Sequence, residues 1–582
     1  MKIILKYIDG KNRIWTLVSA VLIIVQCYLE LMIPDLVSRM TEKLQSDQVV
    51  LFEVVTPGLM MFGCAAMSFL LCLTTGFLIA RMSSAMATGL RKAVFDKTLE
   101  FSLEEVSRFS AGSLITRCTQ DILMIQTFFS SGLQLLIKAP FLAGIAIIKI
   151  SGQRVEWTIA TAVAVFAILI MMTVIIVVCS SKMAGMQRSI DGLNKRSREH
   201  ISGLRVIRAF DTQEFHRNRF EEINSRYESL SRSNGRAMSL MLPGFVFIMY
   251  GLNLAIYLIG IVAVSETGLP QRASVYASMV AFSSYALQIV QAFICLVRAI
   301  MLMPRMTVSA KRVSGVLNTV PAIRDGKGVL PEEKGSIEFR NVSFKYPGSN
   351  EYALKDLSFS IKGGDTVAFI GQTGSGKTSV MNLIPRLYEA TEGEVLVDGV
   401  NVKDYSIKTL RDRLGYVPQK SRLFTGTIAG NIAYGDNGRF NASLKEIEKA
   451  ARVGQAKEFI EQREGAYDSE VTQGGSNFSG GQRQRLTISR AICRDPEIFL
   501  FDDSFSALDF MTDRTLRNEL RKTAKGATVI IIAQRVGTIR KADRIYVLDR
   551  GRIVGEGTHE ELLDTCEVYR DIVETQLSAQ TG

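Results

Sequence analysis

Gly371-Gln372-Thr373-Gly374-Ser375-Gly376-Lys377-Thr378 fits the pattern G-x-x-x-x-G-K-[ST], and its flanks decide how it is read. An apolar, β-prone run, Thr366 to Ile370, comes before it, and helix-compatible residues, Ser379 to Leu387, come after it. In a strand, glycine loop and helix, successive backbone N–H groups curl round a triphosphate and the helix N-terminus adds a positive dipole. Lys377 then reaches the β- and γ-phosphates, Thr378 holds Mg²⁺ through its hydroxyl, and Ser379 joins Gly371–Thr378 as a candidate ATP contact. The bare pattern arises by chance in roughly a few per cent of chains this long, so its companions matter.

Four companions lie in the same half of the chain. Ile498-Phe499-Leu500-Phe501-Asp502-Asp503 reads as a buried strand ending in carboxylates, with Asp502 placed to order Mg²⁺ through water. Ser479-Gly480-Gly481-Gln482 opens a helix running to about Cys493, where a serine and two glycines at the helix start make a second anion site. Gln419 follows Tyr416-Val417-Pro418, a strand end from which a side chain reaches Mg²⁺. Tyr346 follows the first strand and is placed to stack on adenine. Strands and helices alternate from Ser336 onward, which predicts an α/β domain over 336–582 with a largely parallel core sheet, preceded by a polar linker over 321–335.

The first 320 residues differ in composition. Apolar runs near 14–34, 54–80, 127–149, 157–179, 239–265 and 273–297 are each long enough to cross a hydrocarbon core, which takes about 20 residues. Most carry no charge; Lys138 interrupts the third. Arg81 to Gln126 holds six basic residues and Ser181 to Met238 holds twelve, whereas the alternate connections hold one or two each. Both termini, the two basic loops and the nucleotide domain are therefore expected in the cytosol of a multi-pass cytoplasmic-membrane protein in the lipid bilayer. Helical spacing in the loops, as at Leu193, Ile201, Leu204 and Ile207, predicts helices that continue past the membrane and turn near Glu104–Gly112 and Arg208–Phe215. Polar residues within spans (Gln134, Lys138, Gln288, Gln291) are functional candidates, and Pro34, Pro140 and Pro243 are candidate bends. The eight cysteines sit mostly in apolar runs without paired spacing and three histidines are too few for a His-based metal centre. The net charge of +12 belongs to membrane-flanking lysines and arginines, and the spans exclude a nucleic-acid-bound ATPase.

Six spans followed by one nucleotide domain resemble a half-transporter of the ATP-binding cassette superfamily, of exporter type. Gly371–Thr378 resembles Walker A; Phe478-Ser479-Gly480-Gly481-Gln482 resembles the signature, with Phe478 where Leu is usual; Gln419 resembles the Q-loop; Ser506-Ala507-Leu508-Asp509 resembles the D-loop, with Asp509 its acid. Ser202 to Phe210 is similar to the family's second cytoplasmic loop. The resemblance implies a dimer with two ATP molecules, each held between Walker A of one cassette and the signature of the other. Two positions depart from the pattern: the base after the Walker B Asp is Asp503 instead of Glu, and the switch His is Gln534. Asp is one methylene shorter, and Gln hydrogen-bonds phosphate but carries no proton. The expectation is one half of a heterodimer exporting amphipathic small molecules, multidrug type. Its own ATP and Mg²⁺ site would be degenerate, and its partner would keep Glu and His. The alternatives are a lipid, peptide or siderophore transporter, a homodimeric exporter, and an ATP-gated regulator.

Overall fold

The computed structural model describes residues 10–45, 51–268, 271–331, 333–434 and 442–581. Contacts divide the chain into two units, Met1–Leu99 with Gly112–Thr319, and Glu100–Ala111 with Val320–Gly582.

The first unit is helical. Among the described residues, six helices are long and apolar enough to cross a membrane, including α1 (Gly10–Leu44) and α2 (Leu51–Leu99). At 1.5 Å per residue, the 49 residues of α2 run about 70 Å, more than twice the ~30 Å hydrocarbon core. A short helix, α3 (Leu103–Phe109), follows and belongs with the second unit. The next four are α4 (Ala111–Ile150), α5 (Val155–Ser202), α7 (Gln213–Glu266) and α8 (Arg272–Leu317), with the short α6 (Leu204–Ala209) between α5 and α7. Only 17–28% of the apolar window of each long helix is buried within the chain. Phe62, Phe77, Phe166 and Phe247 stand exposed, as side chains facing lipid do and those facing water seldom do.

Proline sets two local features. α7 is interrupted at Leu240, because Pro243 has no N–H for the Ser239 carbonyl. Pro34 lies within α1 and leaves the Glu30 carbonyl without its helical donor. Two wide π-turns, Arg117–Asp121 and Phe128–Gly132, interrupt α4, and no sequence signal announced them. Ion pairs tie α1 to α4: Lys138 to Glu30 at 2.8 Å and Lys149 to Asp35 at 2.6 Å, with the Tyr285 hydroxyl of α8 donating to Asp35. Around them Trp157, Phe282, Ile256 and Ile289 form a buried apolar core.

The second unit carries two large sheets and, among the described residues, a short antiparallel pairing of Gly426–Thr427 with Glu470–Val471. Strands β1 (Ile337–Phe344), β2 (Leu354–Ile361), β4 (Glu392–Val397) and β5 (Val400–Asn401) form an antiparallel sheet in the order β2-β1-β4-β5. The sequence had not distinguished this sheet from the core. Strands β3 (Thr366–Ile370), β6 (Leu414–Val417), β7 (Ile498–Asp502), β8 (Thr528–Ile532), β9 (Arg544–Asp549) and β10 (Arg552–Gly557) form the core sheet, ordered β10-β9-β3-β8-β7-β6. It is parallel except for the edge strand β10. Every residue of β7 and β8 is buried, the mark of a parallel strand covered on both faces. The fold class is as the sequence predicted: a six-span helical region followed by an α/β nucleotide-binding domain. Helix α3 begins with a capping box between Ser102 and Glu105, and Glu105 also accepts from the Ala322 amide at 2.8 Å, which ties the segment to this unit.

Candidate active site

The parallel register brings the chemistry together. The C-terminal ends of β3, β7 and β8 lie side by side, with Asp502 opposite Ile532 and Ile532 opposite Phe369. Ligands of open α/β sheets bind at these carboxyl ends. The glycine loop leaves β3 there and enters α9 (Lys377–Leu383). That helix stops four residues short of the expected Leu387, because Pro385 supplies no amide to continue the ladder.

Gly376 has φ +105°, and a Cβ on it would meet Leu354 Cδ2 at 2.7 Å and Ala353 O at 2.8 Å, so only glycine fits. Gly374, at φ +88°, faces open space. The loop is thus closed on the protein side and open on the other, as a phosphate cradle must be. Lys377 is folded into it, donating to Gly371 O at 2.8 Å, Gln372 O at 2.7 Å and Ser375 Oγ at 3.2 Å. Burial pushes the Lys377 ammonium below its ordinary range, with Asp503 and Asp502 pulling it back. Thr378 Oγ1 donates to Asp502 Oδ1 at 3.1 Å. Burial raises the Asp502 carboxyl and the Thr378 bond opposes it. A hydroxyl beside a buried carboxylate is a hard-oxygen pair suited to Mg²⁺, so these residues fit Mg-ATP. Tyr346 is half-buried, edge-on to Phe344 and Tyr388, with its hydroxyl 2.9 Å from Ser379 Oγ.

Asp503 and Gln534 meet directly. Gln534 Nε2 donates to Asp503 Oδ2 at 3.0 Å. Asp503 sits at φ +47°, a left-handed conformation that aspartate tolerates better than most residues. Burial raises its carboxyl above the usual range, opposed by hydrogen bonds from Gln419 and Ser506. Gln419 is exposed beside it.

The signature stretch forms the start of α10 (Gly480–Cys493). Ser479 caps it, accepting from Gln482 N at 3.3 Å, while Gln482 Oε1 accepts from Ser479 N at 3.0 Å. Phe478 is buried under the Arg463 guanidinium, 4.0 Å from its ring centre, which accounts for an aromatic at this position. Gly480 and Gly481 leave an exposed, positive helix start. Asp509 caps α11 (Phe510–Thr523) through Thr512 N at 3.3 Å.

Sequence reasoning missed Gln576, on the last helix, α12 (Glu567–Thr581). Its Nε2 donates to Gln534 O at 2.6 Å and its Oε1 accepts from Val536 N at 2.9 Å, so one amide clamps both sides of the Gln534 loop. Both glutamines line a cavity of about 520 Å³ with Gly371–Ser375. Nothing in the local sequence marks a residue 42 positions away as a partner of the loop.

Residues 354–506 match the family model described as ABC transporter, and residues 16–293 match the one described as ABC transporter transmembrane region. An uncharacterized ABC transporter ATP-binding protein of Mycobacterium tuberculosis is 36% identical over 533 residues, covering 91% of this chain and 90% of its own. The uncharacterized ABC transporter ATP-binding protein YfiB of Bacillus subtilis is 32% identical, covering 97% and 96%. An ATP-dependent lipid A-core flippase of Haemophilus influenzae is 30% identical, covering 87% and 85%. A solved structure of a bacterial Atm1-family ABC exporter with ATP bound shares the fold, with TM-score 0.80 and 24% identity over 98% of this chain and 99% of that one.

Proposed function

The chain belongs to the ABC transporter family, and from that premise we propose that it is one half of an ATP-driven exporter of amphipathic small molecules in the cytoplasmic membrane. Its partner is a second half-transporter that keeps Glu and His. This chain's Walker A and B hold ATP and Mg²⁺ in a degenerate site, closed by the partner's signature. Its own Ser479–Gln482 completes the competent site on the partner. The observation that carries this reading is the Gln534–Asp503 hydrogen bond at 3.0 Å. The two departures from the family pattern face each other, and each blunts the other: the amide occupies a carboxylate oxygen and offers no titratable proton.

The geometry supports a role for each residue in this reading. Gly371–Gly376 and Lys377 bind the phosphates, Thr378 and Asp502 would hold Mg²⁺, Tyr346 turns to meet adenine, and Gln419 reads the state of the site. A Mg²⁺ ion held by Thr378 and Asp502 would neutralise phosphate charge. A second reading, lipid transport, draws support from the relatives named lipid A-core flippases. The test is ATP-dependent uptake into inverted vesicles. Uptake of amphipathic dyes when this chain and a second half are made together, and not when either is made alone, is expected. Uptake of labelled lipid only would favour the second reading, and no uptake of either would reject transport.

A further inference from the structure

A cavity of about 640 Å³ opens among α1, α4 and α8 inside the spans. Its polar wall holds Glu30, Lys138, Gln134, Gln288 and Gln291, and its apolar wall includes Ile33, Val37, Leu135 and Leu142. Lys138 Nζ donates to Glu30 Oε1 at 2.8 Å, and both side chains stay about a quarter exposed, at 24% and 27%. Gln26 Nε2 donates to the same carboxylate oxygen at 2.9 Å. Pro34 frees the Glu30 carbonyl from the helix ladder, and Gln288 Nε2 reaches it only at 3.5 Å. Gln288 Oε1 is buried with no hydrogen-bond partner.

Charges within a span are costly and mark function by default. This pair is neither sealed in packing nor turned to the helix ends. It borders a space large enough for a small ligand, beside an acceptor left unsatisfied and a carbonyl weakly satisfied. The ammonium of Lys138 keeps donors beyond the one given to Glu30, and the Glu30 carboxylate keeps acceptor capacity. The wall is neutral overall, so a ligand bearing a single charge of either sign leaves one side of the pair uncompensated in a medium of low dielectric. A ligand with an N–H cation and an oxyanion close together satisfies both sides.

From this we infer that the cavity is a binding site for a zwitterionic amphiphile: ammonium toward Glu30, oxyanion toward Lys138, apolar tail along Ile33, Val37 and Leu135. The inference rests on the transport reading above and narrows its substrate class. The shared headgroup chemistry belongs equally to an aminophospholipid and to a soluble amino-acid conjugate.

Three probes of one shape test it: Nα-octanoyl-lysine (zwitterion), its methyl ester (cation) and Nα-octanoyl-norleucine (anion). Retention of radiolabelled probe on the purified assembly in phosphatidylcholine nanodiscs reads binding without hydrolysis or transport, so failure here and failure of the transport reading are separable. The zwitterion should bind about tenfold or more tightly than either singly charged probe. Glu30→Gln should shift preference to the anion, Lys138→Gln to the cation, and the exchange Glu30→Lys with Lys138→Glu should restore the zwitterion. Equal affinity for all three probes in the native assembly overturns the proposal, whether or not the variants fold. So does a loss of affinity in the single variants that ignores probe charge. Displacement by phosphatidylethanolamine in the disc identifies a lipid headgroup, and displacement by millimolar Nα-acetyl-lysine a soluble zwitterion. Either upholds the site; displacement by neither rejects it.

Discussion

Replacing Asp503 by Glu and Gln534 by His should raise hydrolysis at this chain's own site. The extra methylene advances the carboxylate by about an ångström, a distance whose loss costs on the order of 10²-fold in a positioned base. That is about 2.7 kcal/mol of barrier. Against it stands the backbone: Asp503 sits at φ +47°, where a residue other than Gly, Asn or Asp adds roughly 1–2 kcal/mol of local strain. The strain lowers the stability of the loop without raising the barrier. Asp503→Glu alone should gain about tenfold, because Gln534 Nε2 still occupies a carboxylate oxygen, as it does at 3.0 Å now. The double variant should gain on the order of 10²-fold. The assay is Mg-ATP hydrolysis at saturating nucleotide by the purified assembly, with any partner's own base neutralised and Asp503→Asn as the zero. The reasoning also requires the native rate to lie close to that zero. A double variant that binds ATP and hydrolyses no faster than Asp503→Asn would refute it.

Three further outcomes are expected. Lys377→Ala removes a charge-assisted phosphate bond worth about 1.5–3 kcal/mol, so fluorescent-nucleotide titration should show binding roughly 10- to 100-fold weaker. Gln576→Ala releases the Gln534 carbonyl and the Val536 amide; hydrogen exchange at Val536 should quicken about fivefold or more, from one lost bond of about 1 kcal/mol, while the glycine loop keeps its protection. Burial holds His559 below its ordinary 6.5, so its contribution is present above that value and lost as pH falls through the lowered folded pKa, the unfolded chain taking up the proton first. His559→Asn should therefore flatten the fall of Tm with pH below about 6.5 in the full chain.

The glycine loop, the Walker B strand and the signature helix were legible because each is local. Their chemistry needs certain residue types at fixed spacing on consecutive backbone, and the strand–loop–helix context is written in the flanks of Gly371–Thr378. The six spans were legible for the same reason, since about 20 apolar residues in a row have few other uses. What escaped was long-range. Lys138 is visible as the charge that interrupts an apolar run, but its counterpart Glu30, and Asp35 opposite Lys149, lie on α1, far away in sequence. Pairing Lys138 with Glu30 requires knowing that α1 packs on α4. Gln576 is less accessible still: an ordinary glutamine on an ordinary helix, made relevant only by where that helix ends. The antiparallel sheet escaped because β1, β2 and β4 have the same short apolar runs as core strands, and pairing partners, not composition, separate the two sheets.

The claim at the centre of this account is that the chain carries the weak half of a two-site machine. Its most direct test is Mg-ATP hydrolysis by the purified chain alone, measured together with its oligomeric mass. The account predicts little or no turnover from the chain by itself, and brisk turnover once a second half with Glu and His is co-purified. A homodimer of this chain hydrolysing ATP briskly would show Asp503 to be an adequate base and would contradict it.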